Sequence, residues 1–154
     1  MSDWQWDRYF MNMANLVASK SKDRSIQCGV VFVGEDNVIL STGYNGFPRG
    51  IDDDKDEYHE RPEKYAWTEH AERNGIYNAA RVGTRLKDSK AYITAHPCVD
   101  CVRALIQVGV KEIYIPHPSK DPFTTKGRKA DWEESFKKAD EMLNMAGVKV
   151  TYEI

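Results

Sequence analysis

Two short segments about thirty residues apart constrain this chain more than anything else in it. Thr68 to Asn78 opens a helix and carries His70 and Glu72; Ala95 to Cys101 carries Cys98 and Cys101 behind Pro97. Two cysteines three apart in the first turn of a helix send their sulfurs to one side, and the positive helix end favours their thiolate forms. If the helix beginning at His70 faces that turn, one imidazole and two thiolates supply three tetrahedral ligands for Zn²⁺. The fourth position is then left to water, the mark of a catalytic rather than a structural site. Glu72 is too close to His70 in sequence to be a comfortable second ligand from the same turn. It can reach the water, which suits a general acid and base. A fold for this chain must therefore bring two helix starts face to face.

Two plainer readings compete with this one. The same residues could form a closed structural zinc site with Cys28 as fourth ligand, or a packed cluster without metal; neither uses Glu72 or Pro97. His59, His96 and His117 lack a ligand-type partner at helical spacing and read as solvated or locally satisfied. Cys28 lies within an apolar run and reads as a small buried hydrophobe.

Hydrophobic periodicity arranges the rest. Trp6, Phe10, Met13 and Val17 recur at three- and four-residue steps, which predicts an amphipathic helix capped by Asp3 and running to about Ser19. Cys28 to Val33 and Val38 to Thr42 are β-rich runs separated by Gly34 to Asn37, an antiparallel hairpin. Gly43 to Gly50 is a turn-rich loop. Ile51 to Trp67 is dense in charge without a period, and a loop of that length points to a site or an interface. From Glu69 to Val82, Ala71, Gly75 and Ala79 form a narrow helical face suited to close packing on a sheet. Strands at Ala91 to Thr94, Lys111 to Pro116 and Val148 to Ile154 alternate with helices at Cys98 to Val108, ended by Gly109, and Asp131 to Met145. His117 to Lys129 is a loop. This order predicts a largely parallel sheet joined to the hairpin, an α/β fold.

The 154 residues suit one domain, 1–154. With 22 Lys plus Arg against 24 Asp plus Glu, nothing favours a nucleic-acid polymer as partner. No apolar run approaches a membrane span and no basic-then-apolar leader opens the chain, so a cytoplasmic location is expected. Three cysteines fit an intracellular metal site better than a disulfide framework.

The order H-x-E then P-C-x-x-C is that of zinc deaminases acting on nucleobases. Ser21-Lys22-Asp23-Arg24, Gly43-Tyr44-Asn45-Gly46, His70-Ala71-Glu72-Arg73-Asn74 and Pro97-Cys98-Val99-Asp100-Cys101 together resemble the deoxycytidylate (dCMP) deaminases of the zinc-dependent cytidine deaminase superfamily. Gly75 stands where members usually have Ala, a small-for-small change expected to loosen the helix slightly and to leave every role in place. The resemblance implies a three-layer fold, a central mixed sheet of about five strands with helices on both faces. It implies hydrolytic deamination of dCMP to dUMP and ammonia at C4 of cytosine, with zinc on His70, Cys98 and Cys101 and Glu72 shuttling protons. The Ala71 N–H and the Pro97 carbonyl would hold the base edge, and Asn45 the sugar. Lys22 and Arg24 would meet the phosphate, with Arg49 and the Lys120 to Lys129 loop as weaker candidates. It also implies a homohexamer controlled by dCTP and dTTP near Gly43, Tyr44, Asn45 and Gly46. Other outcomes are a deaminase of a tRNA base or free nucleoside, and a zinc-stabilised binding module without turnover.

Overall fold

The computed structural model describes residues 3–153, with side chains from residue 5 onward. The Asp3 side chain, and with it the proposed cap, therefore lies outside the described side chains, and Ile154 outside the described residues. The chain runs α1 (Asp3–Ala18), β1 (Gly29–Val33), β2 (Ile39–Tyr44), a helical turn α2 (Lys64–Trp67), α3 (Ala71–Val82), β3 (Lys90–Ile93), α4 (Val99–Gln107), β4 (Glu112–Ile115), a second turn α5 (Pro122–Thr125), α6 (Lys129–Met145) and β5 (Lys149–Tyr152). The strands form one sheet in the order β2-β1-β3-β4-β5. β1 is antiparallel to both β2 and β3, whereas β3, β4 and β5 are parallel, so the sheet is mixed as expected.

Period-two alternation sorts the side chains into two layers. Val30, Phe32, Ala91, Ile93, Ile113 and Ile115 face Ala79 of α3, Val102 and Leu105 of α4, and Ala139 and Leu143 of α6. Their neighbours Val31, Val33, Tyr92 and Tyr114 point the other way and bury Phe10, Met11 and Ala14 of α1. Helices thus cover both faces, and α4 and α6 share one of them because each is a crossover between parallel strands of the same hand.

The closest approach is between α3 and β2. A Cβ on Gly43 would lie 2.3 Å from the Gly75 nitrogen, and one on Gly75 would lie 2.5 Å from the Phe32 ring. Gly75 is therefore a packing requirement of this chain rather than a mere loosening of the helix. Ser41 Oγ donates to the Gly75 carbonyl, and Asn74 and Asn78 donate to the carbonyls of Tyr44 and Thr42. These contacts fix where the start of α3 falls.

Two stretches read as irregular hold short turns. The Ile51 to Trp67 stretch contains a 3₁₀ turn (Asp56–His59) and α2, held by stacking of Tyr58 on Trp67 and of Phe47 on His59. In the His117 to Lys129 loop, Asp121 caps α5 by accepting from the Phe123 amide, and Pro122 takes the first helical position. Among the described residues no helix is long and apolar enough to cross a membrane.

Candidate active site

His70 is the N-cap residue of α3 and Cys98 that of α4, so the two helix starts do face each other. Cys98 precedes the first turn instead of lying inside it, and Cys101 closes that turn from behind. His70 Nδ1 lies 3.3 Å from Cys98 Sγ and 3.5 Å from Cys101 Sγ. For Zn–S of about 2.3 Å and Zn–N of about 2.0–2.1 Å, a tetrahedral angle requires an N···S edge of about 3.6 Å, so the donors fit zinc in type and spacing. Among the described residues this is the sole His/Cys/Asp/Glu cluster of metal-binding geometry. Cys28 is not part of it, which removes the closed four-ligand site.

The surroundings hold the donors in place. Val99 N–H, an amide left free at the start of α4, donates to Ser135 Oγ of α6 at 3.0 Å. Phe123, Trp132 and Phe136 pack behind Cys98 and Cys101, and the Trp132 ring stands edge-on to His70 at 6.0 Å. Asp121 accepts from the His96 backbone N–H at 2.6 Å, tying the 117–129 loop to the cysteine loop.

Charge is shared unevenly across the triad. The Cys98 thiol is pulled down to about 4, chiefly by the hydrogen bond from Cys101, against burial and with help from His70; Cys101 is pushed up in return. Burial lowers the His70 pKa, but the Cys98 contact and the Glu72 charge outweigh it, and the net shift is upward. Glu72, 5% exposed, is shifted up by burial first and by the Cys98 charge second. Burial and the neighbouring Cys98 charge both favour the protonated form of Glu72, the direction that suits a carboxyl that must take up a proton and hand it on.

His70, Ala71, Glu72 and Cys98 line one cavity, with Cys101 sealed behind them. Asn45 and Cys28 line it too. Asn45 is occupied by the main chain: Oδ1 accepts from Cys28 N–H at 2.8 Å and Nδ2 donates to the Ile26 carbonyl at 2.9 Å. One amide proton and one lone pair remain for a ligand. Pro97 is fully buried, and its carbonyl lies 2.9 Å from His96 Nδ1, while His96 Nε2 meets Asp140 at 2.8 Å. His59 and His117 contact the Asp53 carbonyl and Ser119 respectively.

The expected phosphate cations are not brought to this cavity. Lys22 pairs with Asp53 at 2.9 Å and Arg24 with Asp56 at 2.8 Å, on the exposed outer side of the 51–67 segment. The acidic run supplies their partners. Arg49 donates to Asn78 instead. The cations that line the cavity are Arg61, Lys64 and Arg128. Lys64 is committed to Asp23 at 3.0 Å, both side chains about nine-tenths buried. Asp23 is held below the usual carboxylate range: burial acts to raise it, but the Ser25 amide, Lys64 and the Ile26 amide prevail. No period or motif marked Arg61 or Lys64. Asp121-Pro122 did carry a capping signal that could have anchored the second loop.

Tyr44, Asn45 and Gly46 border a second, adjacent cavity with Lys20, Lys22, Phe47, Asp53, His59 and Thr68, whereas Gly43 is spent on α3.

An N-cap histidine, a paired-cysteine N-cap turn and a buried glutamate on one three-layer α/β sheet define a zinc-site deaminase architecture. The family described as the cytidine and deoxycytidylate deaminase zinc-binding region matches residues 4–116, and the chain belongs to it. Among relatives, an uncharacterised deaminase in the luxG 3′ region of Aliivibrio fischeri is 38% identical over 148 residues, covering 96% of this chain and 93% of that protein. A probable deoxycytidylate deaminase of Caenorhabditis elegans is 44% identical over 108 residues (68% of this chain, 54% of that one), and human deoxycytidylate deaminase is 38% identical over 114 (71% and 63%). The chain thus spans little more than half to under two thirds of those two. The fold matches the dCMP deaminase of cyanophage S-TIM5 with a TM-score of 0.76 at 23% identity, over 99% of this chain and 100% of that one.

Proposed function

We propose that this chain hydrolyses dCMP to dUMP and ammonia. The observation that carries the reading is the His70–Cys98–Cys101 cluster, its cysteines buried and His70 half-buried, with His70 and Cys98 lining one cavity beside Glu72. The names of the deoxycytidylate deaminases it matches point to dCMP as the substrate. His70, Cys98 and Cys101 would hold zinc, which supplies a Lewis acid that makes water a nucleophile at neutral pH. Glu72 takes a proton from the water that attacks C4, passes it to N3, and delivers the second proton to the departing amine. Oxygen from water thus replaces the exocyclic nitrogen, which leaves as ammonia. The Ala71 N–H, one of the amides left free at the start of α3, and the Pro97 carbonyl hold the base edge. The remaining Asn45 donor faces the sugar.

The same reading includes a cytoplasmic homo-oligomer, a hexamer, controlled by dCTP and dTTP. The second cavity supports the effector part, because it shares Asn45 with the first and brings Lys20 beside Tyr44 and Gly46, with Lys22 there paired to Asp53. The test is a panel of dCMP, CMP, deoxycytidine and dCTP followed by ultraviolet absorbance, with and without added dCTP and dTTP. Turnover of dCMP above the others is expected; turnover of none of them by zinc-loaded protein overturns the reading.

A further inference from the structure

The chain entering α4 is held by a histidine that the proposed chemistry does not use. His96 lines the cavity, and its ring nitrogens reach oxygens on two different segments. Nδ1 lies 2.9 Å from the Pro97 carbonyl, and Nε2 lies 2.8 Å from Asp140 Oδ1 on α6. Both oxygens can only accept, so each contact is a hydrogen bond through a proton on the ring nitrogen facing it. The ring also packs on Phe136 of α6 with centroids 4.4 Å apart, and its backbone N–H is fixed by the buried Asp121. His96 is therefore tied to α6 and to the 117–129 loop at once.

Those ties control the direction of one carbonyl. The proline ring holds φ of Pro97 at about −65°, which leaves ψ as its one soft backbone dihedral. That dihedral aims the Pro97 carbonyl and, through the planar peptide that follows, places Cys98 at the start of α4. The carbonyl oxygen has two lone pairs; His96 faces it from one side, and a second donor can take the other.

We propose that His96 and Asp140 form a positioning pair that keeps the Pro97 carbonyl aimed at the exocyclic amine of the substrate base. This rests on the deaminase reading above, in which that carbonyl holds the base edge, and it assigns the aim to a side chain anchored on α6. The amine gains positive charge as it departs, so an aimed carbonyl holds it more strongly in the transition state than in the ground state. Lost aim therefore falls on kcat more than on KM. Asp140, its side chain 55% exposed, acts only through His96.

The test measures kcat and KM for dCMP, zinc content, and dUMP affinity by calorimetry in the zinc-loaded parent, His96→Phe, Asp140→Ala and Glu141→Ala. Phenylalanine keeps a flat ring against Phe136 and removes both nitrogens. It should lower kcat about tenfold while KM, zinc content and dUMP affinity stay within about twofold. dUMP carries an oxygen where dCMP carries the amine and offers this carbonyl no proton there, so its binding separates lost aim from general disturbance. Asp140→Ala should lower kcat about two- to fivefold, and Glu141→Ala, at the exposed neighbour, should match the parent throughout. Parent-like kcat in folded His96→Phe or Asp140→Ala overturns the pair and leaves the deaminase reading standing. Loss of dUMP affinity or zinc in step with kcat makes the two residues merely structural and also overturns the pair. A zinc-loaded parent that turns over no dCMP overturns the reading and the pair together.

Discussion

The floor and the rim of the cavity are built on opposite principles. On the floor, His70, Glu72, Cys98 and Cys101 sit at two helix starts, with Glu72 and both cysteines buried and His70 half-buried. At the rim, Arg61, Lys126 and Arg128 are long cations on loops and single turns, held by Ser25, Tyr65 and Asp131. A reacting centre has to be positioned to fractions of an ångström, and regular backbone does this; an anion needs only charge within reach, which loops can supply from several places. The floor should therefore fail abruptly when altered and the rim gradually.

The largest effect should come from the metal donors. His70→Ala or Cys98→Ser is expected to lower zinc from about one per chain to near zero and take deamination with it, as read by elemental analysis and absorbance, because three protein ligands leave no spare. A variant that kept zinc would enlist another donor and blur the floor as defined here. Next, Glu72→Gln should keep zinc and fold while losing about 10²- to 10⁴-fold in kcat, since an amide of the same size moves no protons. Normal turnover with full zinc would remove Glu72 from the chemistry.

The wall between floor and rim can be probed through Lys64. Lys64→Met leaves a buried carboxylate without its cation and should cost about 3 kcal/mol in urea unfolding. The sign with pH follows from Asp23, whose folded pKa is lowered. Its contribution is complete above the unfolded value of about 4 and is lost as pH falls through the folded value, so the parent should weaken below about pH 4 and Lys64→Met less steeply. On the floor's scaffold, Gly43→Ala forces α3 off β2 and should cost about 1–3 kcal/mol. Smallest of all, Arg24→Ala removes an exposed pair and should leave the melting temperature within about a degree.

The legibility of the two regions in the sequence follows the same division. Helix starts, strands and the H-x-E and P-C-x-x-C spacings are local signals, and the structure brings His70, Cys98 and Cys101 within metal-binding distance of one another, with Glu72 on the same cavity. The alternation of Val30 to Val33 likewise specified which side chains meet α1 and which meet α3. What escaped were pairings across the chain. Whether Lys22 or Arg61 reaches the cavity depends on which carboxylate each finds after folding, and Asp53 lies 31 residues from Lys22. The buried Lys64–Asp23 pair spans 41 residues and leaves no periodic trace. Gly75 looked like a neutral change because the ring of Phe32, which a Cβ there would strike, belongs to a different element.

The most direct test of the central claim is dCMP deamination by zinc-loaded protein, followed by ultraviolet absorbance beside deoxycytidine and beside the Glu72→Gln variant. The account predicts conversion of dCMP to dUMP, slower conversion of deoxycytidine, and near silence from Glu72→Gln. A folded protein carrying full zinc that converts neither substrate, or a Glu72→Gln variant as fast as the parent, would contradict it.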